Sequence, residues 1–160
     1  MSSTVFLRIT RVPYEEPHHL ELVVAASNGR QGGEIGIYCN AEELRRFART
    51  LCEMSSQHGA SAIWEIGSER AEERWAYHFR IRVSPVLETG LCVVELRFDD
   101  LREPPYRELT AFSIDAQPAD VDRLAGLLER FANLRHRVLE WRVVDGELRD
   151  EVDSEAAWLP

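Results

Sequence analysis

Two stretches of the chain, Asn40–Met54 (NAEELRRFARTLCEM) and Gln117–Phe131 (QPADVDRLAGLLERF), carry the same pattern of apolar residues. In each, an apolar residue stands three positions before a bulky residue that is followed by an alanine. A leucine then follows three positions after that alanine. This spacing places the apolar side chains on one face of an amphipathic helix. Both stretches follow strand-like sequence, so the predicted order is sheet, helix, sheet, helix. Duplication and the spacing common to all amphipathic helices explain the repeat equally well.

The remaining segments are predicted as strands because apolar and polar residues alternate along them and turn-forming residues separate them. They are Thr4–Val12, His19–Ala26, Gly33–Cys39, Ser61–Ile66, Arg74–Val83, Gly90–Phe98, Tyr106–Ile114 and Arg137–Val144. Short links favour antiparallel pairing. We predict an α+β fold, with one mainly antiparallel sheet of about six or seven strands and both helices on one face. Residues 1–144 are expected to form a single domain and 145–160 an acidic tail.

Composition limits the location and the chemistry. The chain contains no apolar run long enough to span a bilayer, no recognisable secretory signal, and three cysteines without CxxC spacing. A cytoplasmic location is therefore expected. All nineteen basic residues are arginine. The lack of lysine excludes a Walker A loop, Schiff-base chemistry and SxxK hydrolases, because each of these needs the lysine amine.

The net charge of −9 is unevenly distributed, since Asp145–Pro160 contributes −5 and the other 144 residues −4. An acidic chain repels phosphate backbones, so neither nucleic acid nor a membrane is expected as a partner. The charge suits a basic protein partner, although acidic surfaces more often serve solubility. The apolar residues around Trp158 are interpreted as docking on this domain or a neighbour, or as disordered. Trp64, Trp75 and Trp141 are interpreted as core residues.

Catalytic and metal-binding motifs are absent from the sequence. The five histidines lack HxxH, HxxxH and HExxH spacing, so neither a metal nor another cofactor is predicted. The glycine-rich Asn28–Gly33 joins two strands, which indicates a hairpin turn and not a phosphate loop. Cys52 and Cys92 are expected to be buried and inert, and Cys39 more accessible. The adjacent carboxylates Asp99-Asp100 are interpreted as surface charge in a loop.

A charged face is the best candidate for a functional surface. Six residues that oppose the apolar face of their own strands are the predicted binding residues: Glu65, His78, Arg80, Arg82, Arg97 and Arg142. With Glu95 and Glu140 they form a ladder of alternating charge if their strands share one sheet, which stabilises strand pairing by roughly 0.2–1 kcal/mol per pair. The ladder is interpreted either as structural or as a recognition surface, since arginine binds carboxylates in pairs.

From about Leu20 to Ser68 the sequence resembles WapI-type immunity proteins. The resemblance rests on a strand–Asn-Gly–strand unit, a helix with an FA..L stripe and a W-E-x-G strand, here HLELVVAASNGRQGGEIGIYCNAEELRRFARTL and SAIWEIGS. It implies a cytosolic binding protein that neutralises a cognate toxin. It brings no catalytic motif and assigns no binding residue.

The sequence supports three hypotheses of function. The first is a non-enzymatic protein-binding module of immunity-like type, whose partner would be a basic toxin. The alternative is a small-molecule-binding protein or an enzyme with its site near His78 or Cys39. The third is homo-oligomerisation through a sheet edge or through the tail.

Overall fold

Strands and helices alternate along the chain in the computed structural model, which describes residues 4–13, 16, 18–56 and 60–150. The strands are β1 (Val5–Val12), β2 (Leu20–Asn28), β3 (Gly32–Cys39), β4 (Ala62–Ile66), β5 (His78–Val86), β6 (Leu91–Asp99), β7 (Leu109–Ala116), β8 (Val138–Trp141) and β9 (Gly146–Arg149). The helices are α1 (Ala41–Ser56) and α2 (Pro118–Phe131), with a 3-10 turn at Ala71–Glu73. The predicted α+β class, with antiparallel pairing and two helices, is confirmed.

The strands divide between two antiparallel sheets, where the sequence analysis expected one. Sheet A has the order β3-β2-β1-β8-β9, and sheet B has the order β4-β5-β6-β7. The apolar faces of both sheets and the apolar stripes of both helices contribute to one hydrophobic core. Because α1 stands between β3 and β4, it interrupts the first series of hairpins, and the second series builds a new sheet.

Each half of the chain contributes one strand to the sheet of the other half. Strand β4 follows α1 but pairs with β5 in sheet B, and β8 follows α2 but pairs with β1 in sheet A. The orders β3-β2-β1-β8 and β7-β6-β5-β4 are therefore equivalent. Strands β3 and β7 have equal length and stand at the same spacing before their helices. Trp64 and Trp141 stand at the same spacing from the first residues of their helices. The helical repeat thus belongs to a repeated unit of three strands, a helix and an exchanged strand.

Local side-chain chemistry sets where each helix begins. The Asn40 side-chain oxygen accepts a hydrogen bond from the Glu43 backbone N–H at 2.9 Å. Gln117 and Asp120 form a reciprocal capping box, and Pro118 is the first residue of α2, a position that does not need an N–H. No helix in the described part of the chain is long and apolar enough to cross a membrane.

Strand β5 differs from its prediction at both ends. It begins at His78, so Trp75 lies outside the strand and is half-exposed instead of buried in the core. The strand was predicted to end at Val83 but continues to Val86, with Pro85 inside it and opposite Cys92. Strand β4 pairs with β5 only as far as Val83. Beyond Val83, β5 no longer pairs with β4 on that side. It can therefore accommodate Pro85, which has no N–H to donate.

Part of the segment predicted as an acidic tail belongs to sheet A. Gly146–Arg149 forms β9 and pairs with β8, with Gly146 opposite Trp141. A Cβ there would lie 2.5 Å from Leu127 Cδ1 on α2 and 3.0 Å from the Glu140 carbonyl oxygen, so a larger residue would require Leu127 to shift. The rest of the predicted tail, 151–160, lies outside the described residues.

Trp141 joins the exchanged strand β8 to α2. It is fully buried, and its Nε1 donates a hydrogen bond to the Asp120 carbonyl oxygen at 3.0 Å. In Trp141→Ala this bond is lost and a cavity remains, so we expect the free energy of unfolding to fall by about 3–5 kcal/mol. Urea denaturation followed by circular dichroism measures the change.

The nearby Val144→Ala serves as a control, because Val144 is 74% exposed. It should change stability by less than about 0.5 kcal/mol. Equal effects of the two variants would contradict the role assigned to Trp141.

Candidate functional site

Five of the six predicted binding residues lie on the outer face of sheet B. Glu65 on β4 pairs with Arg80 on β5, and Arg80 pairs with Arg97 on β6, while His78 and Arg82 alternate with Arg80 along β5. The sixth, Arg142, follows β8 in sheet A. The predicted ladder is therefore divided between two sheets.

Arg142 belongs to a separate ion-pair cluster at the edge of sheet A. Its guanidinium pairs with Glu140 and with Asp145. Burial tends to raise the pKa of Glu140, but hydrogen bonding from Arg8 and the charges of the neighbouring arginines lower it overall. These contacts tie β1, β8 and the turn that follows β8 together.

His78 is the centre of a polar network on sheet B and is not a solvated side chain. It is 4% exposed, its Nε2 lies 2.8 Å from Glu65 Oε2, and its Nδ1 accepts a hydrogen bond from Arg97 Nε at 3.1 Å. With Nδ1 as an acceptor, the ring is neutral and Nε2–H donates to Glu65. Because both ring nitrogens are engaged, His78 is not free to act as a general base. The network instead links β4, β5 and β6.

Asp99 extends this network and is a buried residue that the sequence analysis assigned to surface charge. It accepts hydrogen bonds from Arg107 Nε at 3.0 Å and Arg107 Nη2 at 2.5 Å, and Arg97 lies 3.5 Å away. The hydrogen bond from Arg107 holds the pKa of Asp99 below its usual value. The pairing anchors the loop between β6 and β7 to sheet B.

The Asp99 pair predicts a specific pH dependence. A carboxyl whose pKa is lowered by folding stabilises the protein above its unfolded pKa of about 3.9, and this contribution is lost as the pH falls through the folded pKa. We expect Asp99→Asn to lower the melting temperature at neutral pH, and the difference from the parent to shrink below about pH 4. Thermal unfolding across the pH range tests this.

The control for this variant is Asp115→Asn, which removes an exposed carboxylate from the neighbouring strand β7. Its melting temperature should match that of the parent protein across the pH range. A deficit in Asp99→Asn that is independent of pH would contradict the assigned ion pair.

Cysteine accessibility is the reverse of what the sequence indicated for two of the three thiols. Cys39 is buried, and burial together with the nearby Glu43 charge raises its pKa to about 12, so no thiolate nucleophile forms there near neutral pH. Cys52 is exposed on α1, and Cys92 is buried as expected. Neither Cys39 nor His78 therefore supports a catalytic site.

This arrangement predicts one rapidly modified thiol in the native protein. Iodoacetamide at mildly alkaline pH should alkylate Cys52 first, and Cys39 and Cys92 only after denaturation, because burial also shields a thiol from the reagent. Peptide mass spectrometry identifies the modified residue, with Cys52→Ser as the control. Early alkylation of Cys39 would contradict its burial.

A groove of about 640 Å³ opens between α1 and the edge strand β4. It is lined by Tyr38, Glu43, Arg46, Phe47, Thr50, Ile63, Trp64, Glu65, Ile66, Gly67 and Trp75. Tyr38 at the end of β3 is 56% exposed, and Trp75 and Ile63 are each 50% exposed. The Tyr77 hydroxyl accepts a hydrogen bond from the Tyr38 N–H at 3.0 Å, which holds the end of β3 beside the start of β5.

Trp64 supplies an unused hydrogen-bond donor in the lining of this groove. Its side chain is 5% exposed and packs against Phe47 and Phe79, yet its Nε1 is buried and lacks a hydrogen-bond partner among the described residues. A buried donor without an acceptor costs about 1–3 kcal/mol. The equivalent Trp141 has its acceptor at Asp120.

The polar lining of the groove disfavours anions. Glu43 and Glu65 provide two carboxylates, and Arg46 provides one cation. Burial raises the pKa of Glu43, while the Arg46 charge opposes that rise. The groove therefore suits a flat, uncharged group that donates hydrogen bonds to carboxylates.

Sequence reasoning missed this groove because its residues were assigned to strand faces. Trp75 continues the alternation of β5 in sequence but lies outside the strand, and Tyr38 was counted only as a residue of β3. One signal was present, since Trp64 and Trp141 stand at the same spacing from the two similar helices. A comparison of the two halves of the chain would have identified the region around Trp64 as the equivalent of the region around Trp141.

Comparison with known proteins yields two distant structural similarities. WHY3 from Arabidopsis thaliana is 10% identical in sequence, with a TM-score of 0.45 over 87% of this chain and 80% of that chain. The plant transcriptional regulator PBF-2 is also 10% identical, with a TM-score of 0.45 over 82% of this chain and 78% of that chain. No protein-family model and no curated protein matches the chain.

Two expectations of the sequence analysis are corrected by this comparison. The similar structures are plant proteins, one a transcriptional regulator, and are not immunity proteins, so the prediction of an immunity-like protein-binding module is wrong. The exclusion of nucleic acid as a partner, which rested on net charge, is corrected as well. Net charge describes the whole surface and does not describe a local groove. The resemblance to WapI-type proteins stays a prediction.

Proposed function

We propose that the groove between α1 and β4 binds bases of single-stranded nucleic acid. The observation that carries the proposal is the open groove between α1 and β4, which is flanked by the half-exposed rings of Tyr38 and Trp75. Aromatic rings beside a strand-sized groove are the usual platform for unpaired bases.

A nucleobase meets each requirement of the lining. Its face stacks on the half-exposed ring of Tyr38 or Trp75. Its exocyclic amine donates to a carboxylate, in the manner of cytosine N4 with glutamate, for which Glu43 and Glu65 are placed. Thymine lacks that amine, so oligo(dC) and oligo(dA) should bind more tightly than oligo(dT).

The acidic charge of the chain is compatible with this mode of binding because bases, and not phosphates, enter the groove. Among the described lining residues Arg46 is the one cation, and its side chain is exposed. We expect it to meet a phosphate at the mouth of the groove. Each neutralised phosphate contributes about −0.7 to the salt slope of single-strand binding. We therefore expect a shallow salt dependence, with a slope of about −1 or less in magnitude.

The test measures binding of fluorescent single strands of about twelve nucleotides to the full chain. Trp75→Ala and Tyr38→Ala should each weaken binding by about 1–3 kcal/mol per stacked base, roughly 5- to 150-fold in Kd. Tyr106→Ala is the matched control, because Tyr106 is at least as exposed, at 66%, but lies outside the groove, and it should leave Kd unchanged.

Three results would overturn the proposal. The first is that no single strand binds to the full chain or to any variant. The second is equal affinity for duplex and single strand, and the third is a Tyr106→Ala effect as large as that of Trp75→Ala.

A further inference from the structure

The two carboxylates that line the groove are held in different ways. Glu65 lies on the edge strand β4 with its side chain 44% exposed, and its Oε2 is 2.8 Å from His78 Nε2. Glu43 lies in the first turn of α1, where burial raises its pKa and so disfavours its charged form. Glu65 is therefore the carboxylate that is both fixed in direction and open to a ligand.

The hydrogen bond from His78 is not the contact that strand pairing alone would give Glu65. In the ladder between β4 and β5, Glu65 lies directly opposite Arg80. Its carboxylate instead bonds His78, two residues away on the same face of β5. A guanidinium can engage both oxygens of a carboxylate and offset its charge, whereas a neutral imidazole donates to one oxygen. Glu65 thus keeps its charge and a second oxygen for a ligand.

Arg97 keeps the His78 ring neutral and fixes its tautomer. Arg97 Nε donates to His78 Nδ1 at 3.1 Å, which places the ring proton on Nε2, facing Glu65. The charge of Arg97 is itself balanced, because Nη2 donates to Glu69 at 2.8 Å and lies 3.5 Å from Asp99. His78 is 4% exposed, so water competes little for its ring nitrogens.

We propose that Glu65 is the residue that distinguishes bases in the groove, and that His78 and Arg97 are its positioning residues. The inference rests on the proposed function and deepens it, because it assigns base selectivity to one carboxylate. With Oε2 held by His78, Oε1 accepts a hydrogen bond from the exocyclic amine of cytosine or adenine. Uracil and thymine have a carbonyl oxygen in place of the cytosine amine, and the carboxylate repels it.

The positioning bond acts on selectivity more than on affinity. A carboxylate that lacks this bond rotates about its own side chain and no longer holds one oxygen at the place of the amine. Stacking of the base on Tyr38 or Trp75 does not depend on that oxygen. Loss of His78 should therefore reduce the preference for cytosine while much of the binding remains.

Selectivity is measured on the full chain as the Kd for oligo(dU) divided by the Kd for oligo(dC), with strands of about twelve nucleotides. The two strands share a backbone and differ at the group that Glu65 reads. We expect a ratio of roughly 10 or more for the parent, since a hydrogen bond to a charged group is at stake. Glu65→Gln should bring the ratio to about 1, because an amide both donates and accepts. Glu43→Gln should change the ratio less than Glu65→Gln does.

The positioning role is tested with a pair of variants at His78. His78→Phe keeps an aromatic ring but removes the donor, so the ratio should fall at least about threefold. His78→Gln restores an N–H donor to Glu65 and should keep the ratio within about twofold of the parent. The matched control is His136→Phe, because His136 also bonds a carboxylate, with Nδ1 2.8 Å from Asp150 Oδ1, but lies outside the groove. It should leave the ratio unchanged.

The tautomer of His78 is measured in the parent, so this readout does not depend on the folding of a variant. Nitrogen NMR of the histidine-labelled full chain should show Nδ1 without a proton and Nε2 with one at neutral pH. The opposite tautomer, or an imidazolium, would overturn the positioning role. A folded His78→Phe with the parent ratio would do the same, as would a larger effect of Glu43→Gln than of Glu65→Gln. In each of these cases oligonucleotide binding leaves the proposed function standing, whereas failure of every strand to bind the parent removes both.

Discussion

The backbone ladders β1–β8 and β4–β5 hold the whole molecule together, because each joins an element of one half to the sheet of the other. Arg8 pairs with Glu140 across the first ladder, and Trp64 lies opposite Ile81 across the second. With both ladders formed, each helix is held between the three strands that precede it and the strand that follows it, which pairs in the other sheet. The two helices then complete one hydrophobic core. Each sheet around this core contains strands from both halves of the chain.

The two halves share one architecture but differ at the edge of the strand that each contributes to the other sheet. Leu127 packs against β9, whereas its counterpart Thr50 lines an open groove. Trp141 finds an acceptor on α2, whereas its counterpart Trp64 has a buried donor to spare within the described residues. The second half therefore uses the common architecture for stability, and the first half keeps the same geometry available for a ligand.

Local pattern in the sequence predicted the elements well, because helical stripes and strand alternation depend on residues close in the chain. Both helices and most strands lie near their predicted positions. The division into two sheets was not predictable in this way, since it depends on pairings between strands far apart, such as β1 with β8. For the same reason, the sequence did not show that Arg142 lies in a different sheet from the other five candidate residues. Burial of Asp99 and Cys39 was missed because each is enclosed by elements distant in sequence.

The pairing of Arg8 with Glu140 spans 132 positions of the chain. At the usual rates of translation, about 5–20 residues per second, β1 waits roughly 7 to 26 s for its partner strand to be made. Throughout that interval the nascent chain presents an apolar hairpin sheet with an open edge at β1, which invites pairing with other chains. Completion of β8 therefore removes an exposed strand edge as well as adding a strand to the sheet.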